Sequence, residues 1–176
     1  MFDYREHLSV PLHISDILET VQIVAGRKDD LLLLLELCFA EDTRLAGNAL
    51  WVCTHLSAPD MQRFAPFADR FIDGAMSETT VTCRRLRLAV LERLDVALER
   101  ADFFDFCLQH ALLLSEPYGI RSLCIKLAYR IAKPYPELCR ELQLTLQLMH
   151  PSELSPGVRQ VHKKTLSKLR TYQIKN

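Results

Sequence analysis

The side chains that could bind a metal or act as nucleophiles are dispersed along this chain of 176 residues. Its six cysteines stand at least 15 positions apart, so the chain lacks the CxxC pairs that zinc ribbons and dithiol redox sites require. No two of its six histidines are three or four positions apart, the spacing that would place two ligands on one helix face. We therefore expect no metal site and no cofactor.

The motifs of common catalytic sites are missing as well. The five glycines do not cluster, which excludes a glycine-rich phosphate loop, and the chain has no HExxH or GxSxG segment. Each cysteine lies within an apolar helical pattern, where we expect a small buried side chain in a reducing compartment. We predict no catalytic residue, and we predict that the protein is not an enzyme.

The strongest candidate for a binding surface is a run of positive charge near the carboxyl end. The 22 basic and 22 acidic residues cancel overall, but residues 1–120 have 19 acidic and 11 basic residues, whereas residues 121–176 have 3 and 11. The candidate partner-binding patch consists of Arg159, Lys163, Lys164, Lys168 and Arg170. Such a patch can be a solvated cap of the last helix, a docking surface for an acidic partner or for phosphate, or a contact in head-to-tail self-association.

The elements that must position these residues are helices. Ile14, Ile17, Leu18, Val21 and Ala25 follow the i, i+3, i+4, i+7, i+11 pattern of one helix face, and eight further segments repeat this spacing. No segment alternates with a period of two between turn residues. The pattern therefore predicts an all-α chain of about nine helices.

Single residues refine this prediction. Pro66 falls within the fourth predicted helix, so we expect a kink there or a helix that begins later. Trp51, the only tryptophan, follows Ala49 and Leu50 on an apolar face, which favours core packing over a role as a binding platform. The residues that we expect at buried contacts between helices are Leu50, Leu91, Leu127, Ala128 and Leu166.

A segment of eight residues occurs twice, with a separation of 38 positions. Residues 119–126 recur as residues 157–164, with identical glycine, arginine and lysine, and weaker matches 37 to 40 positions apart extend the pattern toward the amino end. A two-helix repeat of this length is typical of an α-solenoid. One arginine recurs in each unit: Arg44, Arg84, Arg121 and Arg159. We expect these repeat arginines to bond linker carbonyls, or an acid of the next unit, as a structural ladder.

Three of these units resemble HEAT-type repeats. Residues 42–45, Asp-Thr-Arg-Leu, and residues 48–51, Asn-Ala-Leu-Trp, are similar to the start of such a repeat, and residues 117–121 and 156–159 are similar to its linker. The resemblance to the HEAT/armadillo-type families implies a right-handed α-α superhelix of stacked helix pairs. We expect a single HEAT-like domain over residues 1–176, with an N-terminal arm at 1–13 and stacked helices at 14–170.

The resemblance also implies a non-enzymatic scaffold that binds a segment of a partner protein along one face. The alternative is a protein that binds the nucleic-acid backbone through its basic C-terminal helix. A third and weaker alternative is a HEAT-like DNA glycosylase, which would need more exposed aromatic residues than an aromatic content of 8% provides. The longest apolar run, residues 31–35, has five residues against the roughly 20 of a membrane span. We therefore expect a cytoplasmic protein that has a protein partner and no membrane contact.

Overall fold

The structure is a computed structural model that describes residues 2–175, with side chains described as far as residue 171. Within this part of the chain all regular structure is helical, and no strand occurs, so the predicted all-α fold class is confirmed. The helices form two compact units, which divide between Val96 and Ala97. Residues 2–175 contain eleven α-helices instead of the nine predicted.

The first unit contains seven of these helices. They are α1 (Tyr4–Leu8), α2 (Ile14–Val24), α3 (Lys28–Leu37), α4 (Thr43–Cys53), α5 (Ala58–Gln62), α6 (Ala68–Ser77) and α7 (Val81–Arg93). The second unit contains α8 (Ala101–Leu112), α9 (Tyr118–Ala132), α10 (Pro136–Gln147) and α11 (Pro156–Lys175). A short 3-10 turn precedes α6 and another precedes α11.

Helix α4 lies at the centre of the first unit and packs against α1, α2, α3 and α7. It begins where the sequence provides a cap, because the Asp42 carboxylate accepts hydrogen bonds from the backbone N–H groups of Arg44 at 2.8 Å and Leu45 at 3.0 Å. It approaches α7 closely at Gly47, where an added Cβ would lie 3.5 Å from the sulfur of Cys83. Leu50 on α4 is fully buried, as predicted.

The two additional helices are both short. Residues 1–13, which the sequence assigned to an arm, contain α1, whose Tyr4 and Leu8 are buried. Helix α5 begins after Ser57, whose hydroxyl accepts a hydrogen bond from the Asp60 N–H at 3.3 Å. Five residues are too few to show a helical period, which is why the pattern did not separate these helices from their neighbours. Pro66 lies in the 3-10 turn, and α6 begins after it at Ala68. Of the two expectations for this proline, a kink or a later helix start, the later start is the one observed.

In the second unit, α9 packs against α8, α10 and α11. Leu127 and Ala128 on α9 are buried, as predicted, and so is Leu91 on α7 in the first unit. The predicted burial of Leu166 is wrong, because this side chain is half-buried and lines a surface cavity. The face of α11 that is buried instead presents Val158 and Leu169, so the apolar stripe of this helix is rotated away from Leu166.

All six cysteines are free thiols within buried surroundings, as the apolar pattern predicted. The sulfur atoms of Cys38 and Cys53 lie 3.4 Å apart. Burial, together with the neighbouring Cys38 thiol, raises the pKa of Cys53 well above its usual value. Burial likewise raises the pKa values of Cys83, Cys107 and Cys139. These four thiols, of Cys53, Cys83, Cys107 and Cys139, therefore lack the exposure and low pKa of a nucleophile.

Candidate functional site

The predicted basic patch lies on α11, and the contacts of this helix fix which of its faces is open. Val158 and Leu169 are buried, and α11 packs against α9 and α10. His162 is also buried, and its Nε2 donates a hydrogen bond of 2.8 Å to the carbonyl oxygen of Leu146 in α10. This histidine is therefore a satisfied core residue that anchors the helix. The basic residues of the patch lie on the faces of α11 that remain exposed.

Three residues of the patch share one groove. A cavity of about 570 Å³ is lined along α11 by Arg159, Lys163, Leu166 and Arg170. These residues are separated by four, three and four positions, which is the spacing of one face of an α-helix. We call this surface the α11 groove. It combines three exposed cations with one half-buried aliphatic side chain.

The other two residues of the patch lie outside this groove. Lys164 and Lys168 are exposed and stand four positions apart on a neighbouring stripe of the helix. The Lys168 ammonium lies 5.1 Å from the centre of the Tyr129 ring on α9, within the range of a cation–π contact. The structure therefore divides the five predicted residues into a groove of three and a separate pair. Lys175 also contributed to the basic run, but its side chain lies outside the described residues.

The charges on α11 are not balanced by neighbours. The helix has no acidic residue, and no carboxylate among the described residues lies within 4.0 Å of a cation of the patch. Arg159 and Lys163 form a like-charge pair at i, i+4, as do Lys164 and Lys168. Each such pair destabilises a helix by about 0.2–0.5 kcal/mol, so the arrangement costs folding stability. A polar cap could be built from mixed charges without this cost.

The four repeat arginines do not have the same surroundings. The Arg121 Nε donates to the Ala111 carbonyl oxygen at 3.0 Å, and an Arg159 Nη2 donates to the Leu154 carbonyl oxygen at 3.0 Å. Arg84 donates to the carbonyl oxygen of Glu78. In each case the acceptor precedes the helix that contains the arginine. Arg44 differs, because its exposed side chain has no such bond among the described contacts and lines a second cavity.

This second cavity was not predicted from the sequence. It has a volume of about 600 Å³, lies between α4 and α7, and is lined by Arg44, Asn48, Trp51 and Arg85 together with smaller residues. The prediction that Trp51 packs in the core is wrong, because its side chain is half-buried and faces this cavity. A signal was present in the sequence, since Arg44, Asn48 and Trp51 are four and three positions apart and so share one helix face.

The described residues show neither of two other kinds of site. Residues 2–171 contain no group of three or more histidine, cysteine or acidic side chains arranged to hold a metal ion. None of the helices in the described part of the chain is both long enough and apolar enough to cross a bilayer. The α11 groove and the cavity between α4 and α7 are the two candidate binding surfaces considered below.

The comparison with protein families decides the class of the chain. A family model described as HEAT repeat domain matches residues 4–169. The chain belongs to the HEAT repeat family. The predicted resemblance is thereby confirmed, and it extends over nearly the whole chain. A HEAT repeat domain is a helical repeat scaffold that typically mediates protein interactions. Comparisons with curated proteins and with solved structures find no match to this HEAT repeat protein.

Proposed function

We propose that this HEAT repeat protein is a non-enzymatic scaffold that binds an acidic segment of a partner protein in the α11 groove. The observation that supports this most directly is the set of three exposed cations on one helix face, with no carboxylate among the described residues to neutralise them. Folding does not require this arrangement, because like charges four positions apart destabilise the helix. A bound acidic segment would offset that cost.

The length and lining of the groove indicate the length and composition of the segment that fits it. Arg159 and Arg170 are 11 positions apart, which corresponds to about 16 Å along an α-helix. An extended peptide covers this distance with about five residues. Arginine binds carboxylates through two parallel hydrogen bonds, and Leu166 offers an apolar contact between the charges. The fitting segment therefore has two or three acidic residues around one apolar side chain.

A nucleic-acid backbone is the second candidate, because α11 has five described cations and no acidic residue. Two observations favour the peptide. Lys164 and Lys168 lie outside the groove, so the five cations do not form one track for a strand of phosphates. The groove also includes the side chain of Leu166, which contributes nothing to phosphate binding. Phosphate contacts set the affinity of such complexes.

The test uses labelled peptides of 12 residues and fluorescence anisotropy. One peptide has three glutamates around a central leucine, and a second has lysines in their place. We expect the acidic peptide to bind and the basic peptide not to bind. In the variant K163E/R170E, which changes the groove, we expect the affinity for the acidic peptide to fall at least tenfold. The control K164E/K168E changes the net charge by the same amount outside the groove and should have an effect of less than threefold.

The same measurements separate the two candidates. If a duplex of 20 base pairs binds instead, with a slope of log affinity against log salt near −3 to −4, α11 is a phosphate-binding helix and the peptide proposal is wrong. If both double variants weaken the acidic peptide equally, only the long-range charge of the helix matters, and the groove is not a binding site. Circular dichroism of each variant establishes that it is folded.

A further inference from the structure

We propose that the cavity between α4 and α7 is a second peptide-binding site, which takes an acidic segment with one large apolar side chain. This site lies wholly within the first unit, and it is formed by Arg44, Asn48, Trp51 and Arg85. We call it the α4–α7 groove. It shares with the proposed function only the class of partner, because no residue of the α11 groove belongs to it.

The framework of this groove is rigid on the α4 side. Asn48 donates two hydrogen bonds of 2.9 Å, to the backbone carbonyl oxygens of Leu8 and Val10, which tie the segment after α1 to α4. On the α7 side the buried residues Cys83 and Leu86 line the cavity. The Cys83 thiol donates to the carbonyl oxygen of Thr43 at 3.6 Å, across the two helices. A volume of about 600 Å³ lies within the usual range of ligand sites.

The two arginines of the groove have no carboxylate partner among the described residues, although their unit is rich in acids. The first unit has 15 acidic and 10 basic residues up to residue 96, so acidic partners are in excess. Two other arginines of the unit are paired with acids. Arg70 donates to both carboxylate oxygens of Glu36, at 2.7 and 2.9 Å, and the Nε of Arg87 lies 3.4 Å from a carboxylate oxygen of Glu78. Arg44 and Arg85 are exposed, and neither has a carboxylate within 4.0 Å among the described residues.

The lining of the groove contains no acidic residue, although Glu41 and Asp42 immediately precede α4. The Asp42 carboxylate is instead occupied by the cap of α4, where it accepts from the N–H groups of Arg44 and Leu45. The two guanidinium groups therefore face the cavity without a neutralising partner. Charge complementarity indicates an anionic ligand, and the planar donors of arginine suit a carboxylate.

Trp51 supplies the apolar half of the site. Its indole is half-buried, and its ring packs edge-on to His55 with 6.5 Å between the ring centres. A large aromatic side chain of this kind is a typical anchor of protein interfaces, because it buries much apolar area at a small entropic cost. Together with Leu86 it provides a pocket for one leucine-sized or aromatic side chain of the partner.

A peptide fits these features better than a nucleic acid does. The first unit has a net charge of −5, from the 15 acidic and 10 basic residues before residue 97. A nucleic-acid strand would bring one negative charge per nucleotide toward this unit, and the groove has one aromatic ring on which a base could stack. A peptide with two carboxylates neutralises the two arginines and adds no further charge.

The sole tryptophan makes the experiment specific, because all intrinsic tryptophan emission of the folded protein comes from a residue of this groove. The probes are 10-residue peptides with two aspartates or glutamates flanking one leucine or phenylalanine, each compared with a version in which the acids are replaced by glutamine or asparagine. We expect the acidic peptides to shift the emission of Trp51 with saturation and the neutral versions to require at least tenfold higher concentration. Labelled peptides give the same affinities by anisotropy in the K163E/R170E background, in which the α11 groove does not contribute.

Matched variants locate the binding. In R44Q/R85Q we expect at least a tenfold loss of affinity, whereas the control R27Q/R63Q removes two exposed arginines elsewhere in the same unit and should have an effect of less than twofold. W51F should retain the fold and lose several-fold in affinity by anisotropy. The proposal is overturned if no acidic peptide changes the Trp51 emission, if R44Q/R85Q binds like the control, or if a 12-nucleotide oligothymidine saturates the groove in place of the peptides.

The α11 variant K163E/R170E keeps this inference distinct from the proposed function. It should leave the emission response of Trp51 to acidic peptides unchanged, since it alters no residue of the α4–α7 groove. Loss of that response in K163E/R170E would show that the peptides act through α11, and the second site would then be wrong. Conversely, if the α11 groove fails its own test, the Trp51 response stands unaffected.

Discussion

Replacing Leu127 by alanine should remove a large part of the stability of the second unit. Leu127 is 1% exposed on α9, the helix that contacts α8, α10 and α11. The change deletes three carbon atoms, worth about 0.8 kcal/mol each in transfer free energy, or about 2.4 kcal/mol. The cavity left in a close-packed core adds to this, so we expect a loss of about 2–5 kcal/mol in the free energy of unfolding.

The matched control is Leu148, which is 75% exposed in the same unit. The same chemical change there should cost less than about 0.5 kcal/mol, because little apolar area returns to water on unfolding. Urea unfolding followed by circular dichroism measures both values, and the urea dependence of the free energy should be unchanged between them. Trp51 emission, recorded in the same samples, follows the first unit separately, since the only tryptophan lies there.

A loss below about 0.5 kcal/mol for L127A would refute the reasoning. It would mean that Leu127 does not lie at a packed contact between helices, and the repeat register that placed it there would be wrong. Equal losses for L127A and L148A would have the same consequence, because burial would then not distinguish the two sites. The comparison thus tests the packing of α9 rather than the general effect of removing a leucine.

Three further predictions concern caps and titrating groups. Asp42→Ala should destabilise the first unit by about 0.5–2 kcal/mol in urea unfolding, because it removes the acceptor of two N–H groups at the start of α4, and Glu41→Ala should have a much smaller effect. Burial, and then the neighbouring Asp30 carboxylate, raises the pKa of Tyr4 to about 12, so absorbance at 295 nm should show a tyrosine that ionises at a higher pH than an exposed tyrosine does. Because this pKa is raised on folding, the associated stability is complete below pH 10 and is lost as the pH rises through 12, and D30N should move the late titration to lower pH. All six cysteines should react slowly with a thiol reagent in the native protein and rapidly in urea, and one fast thiol in the native state would contradict the burial of its sulfur.

The parts of the fold that the sequence predicted are those governed by helical period. The long helices, the interruption of the helical pattern at Pro66 and the burial of Leu50 and Leu127 all follow from the spacing of apolar residues and from the geometry of proline. Helix α1 was missed because five residues do not complete two helical turns. Its position depends on Asn48, which bonds the backbone at Leu8 and Val10 from 40 and 38 residues away.

The parts of the candidate sites that were missed depend on which helix faces are covered. The sequence identified five cations near the carboxyl end, but only the packing of α11 shows that Lys164 and Lys168 lie outside the groove. The spacing of Arg44, Asn48 and Trp51 places them on one face of α4, but that spacing does not show that the face borders a cavity. A helical period gives the relative positions of residues on a helix, whereas the neighbouring helices determine which of those positions are exposed.

The two grooves use the same positions of two repeat helices. In each helix, the repeat arginine and the residues four and seven positions after it line the cavity. These residues are Arg44, Asn48 and Trp51 in α4, and Arg159, Lys163 and Leu166 in α11. Each groove thus obtains a cation, a polar or basic side chain and an apolar side chain from one helix face.

Helix α9 shows what the same positions contain where neighbouring helices cover them. Its repeat arginine, Arg121, is 1% exposed, and the residues four and seven positions later, Ile125 and Ala128, are fully buried. The Nε of the Arg121 guanidinium donates to the Ala111 carbonyl oxygen inside the unit. One repeat framework therefore yields a packed face in α9 and open faces in α4 and α11, and the residue types change with the exposure. In α4 and α11, unlike α9, an exposed cation and a half-buried apolar side chain stand beside each other at the surface, so these two faces offer both charged and apolar contacts.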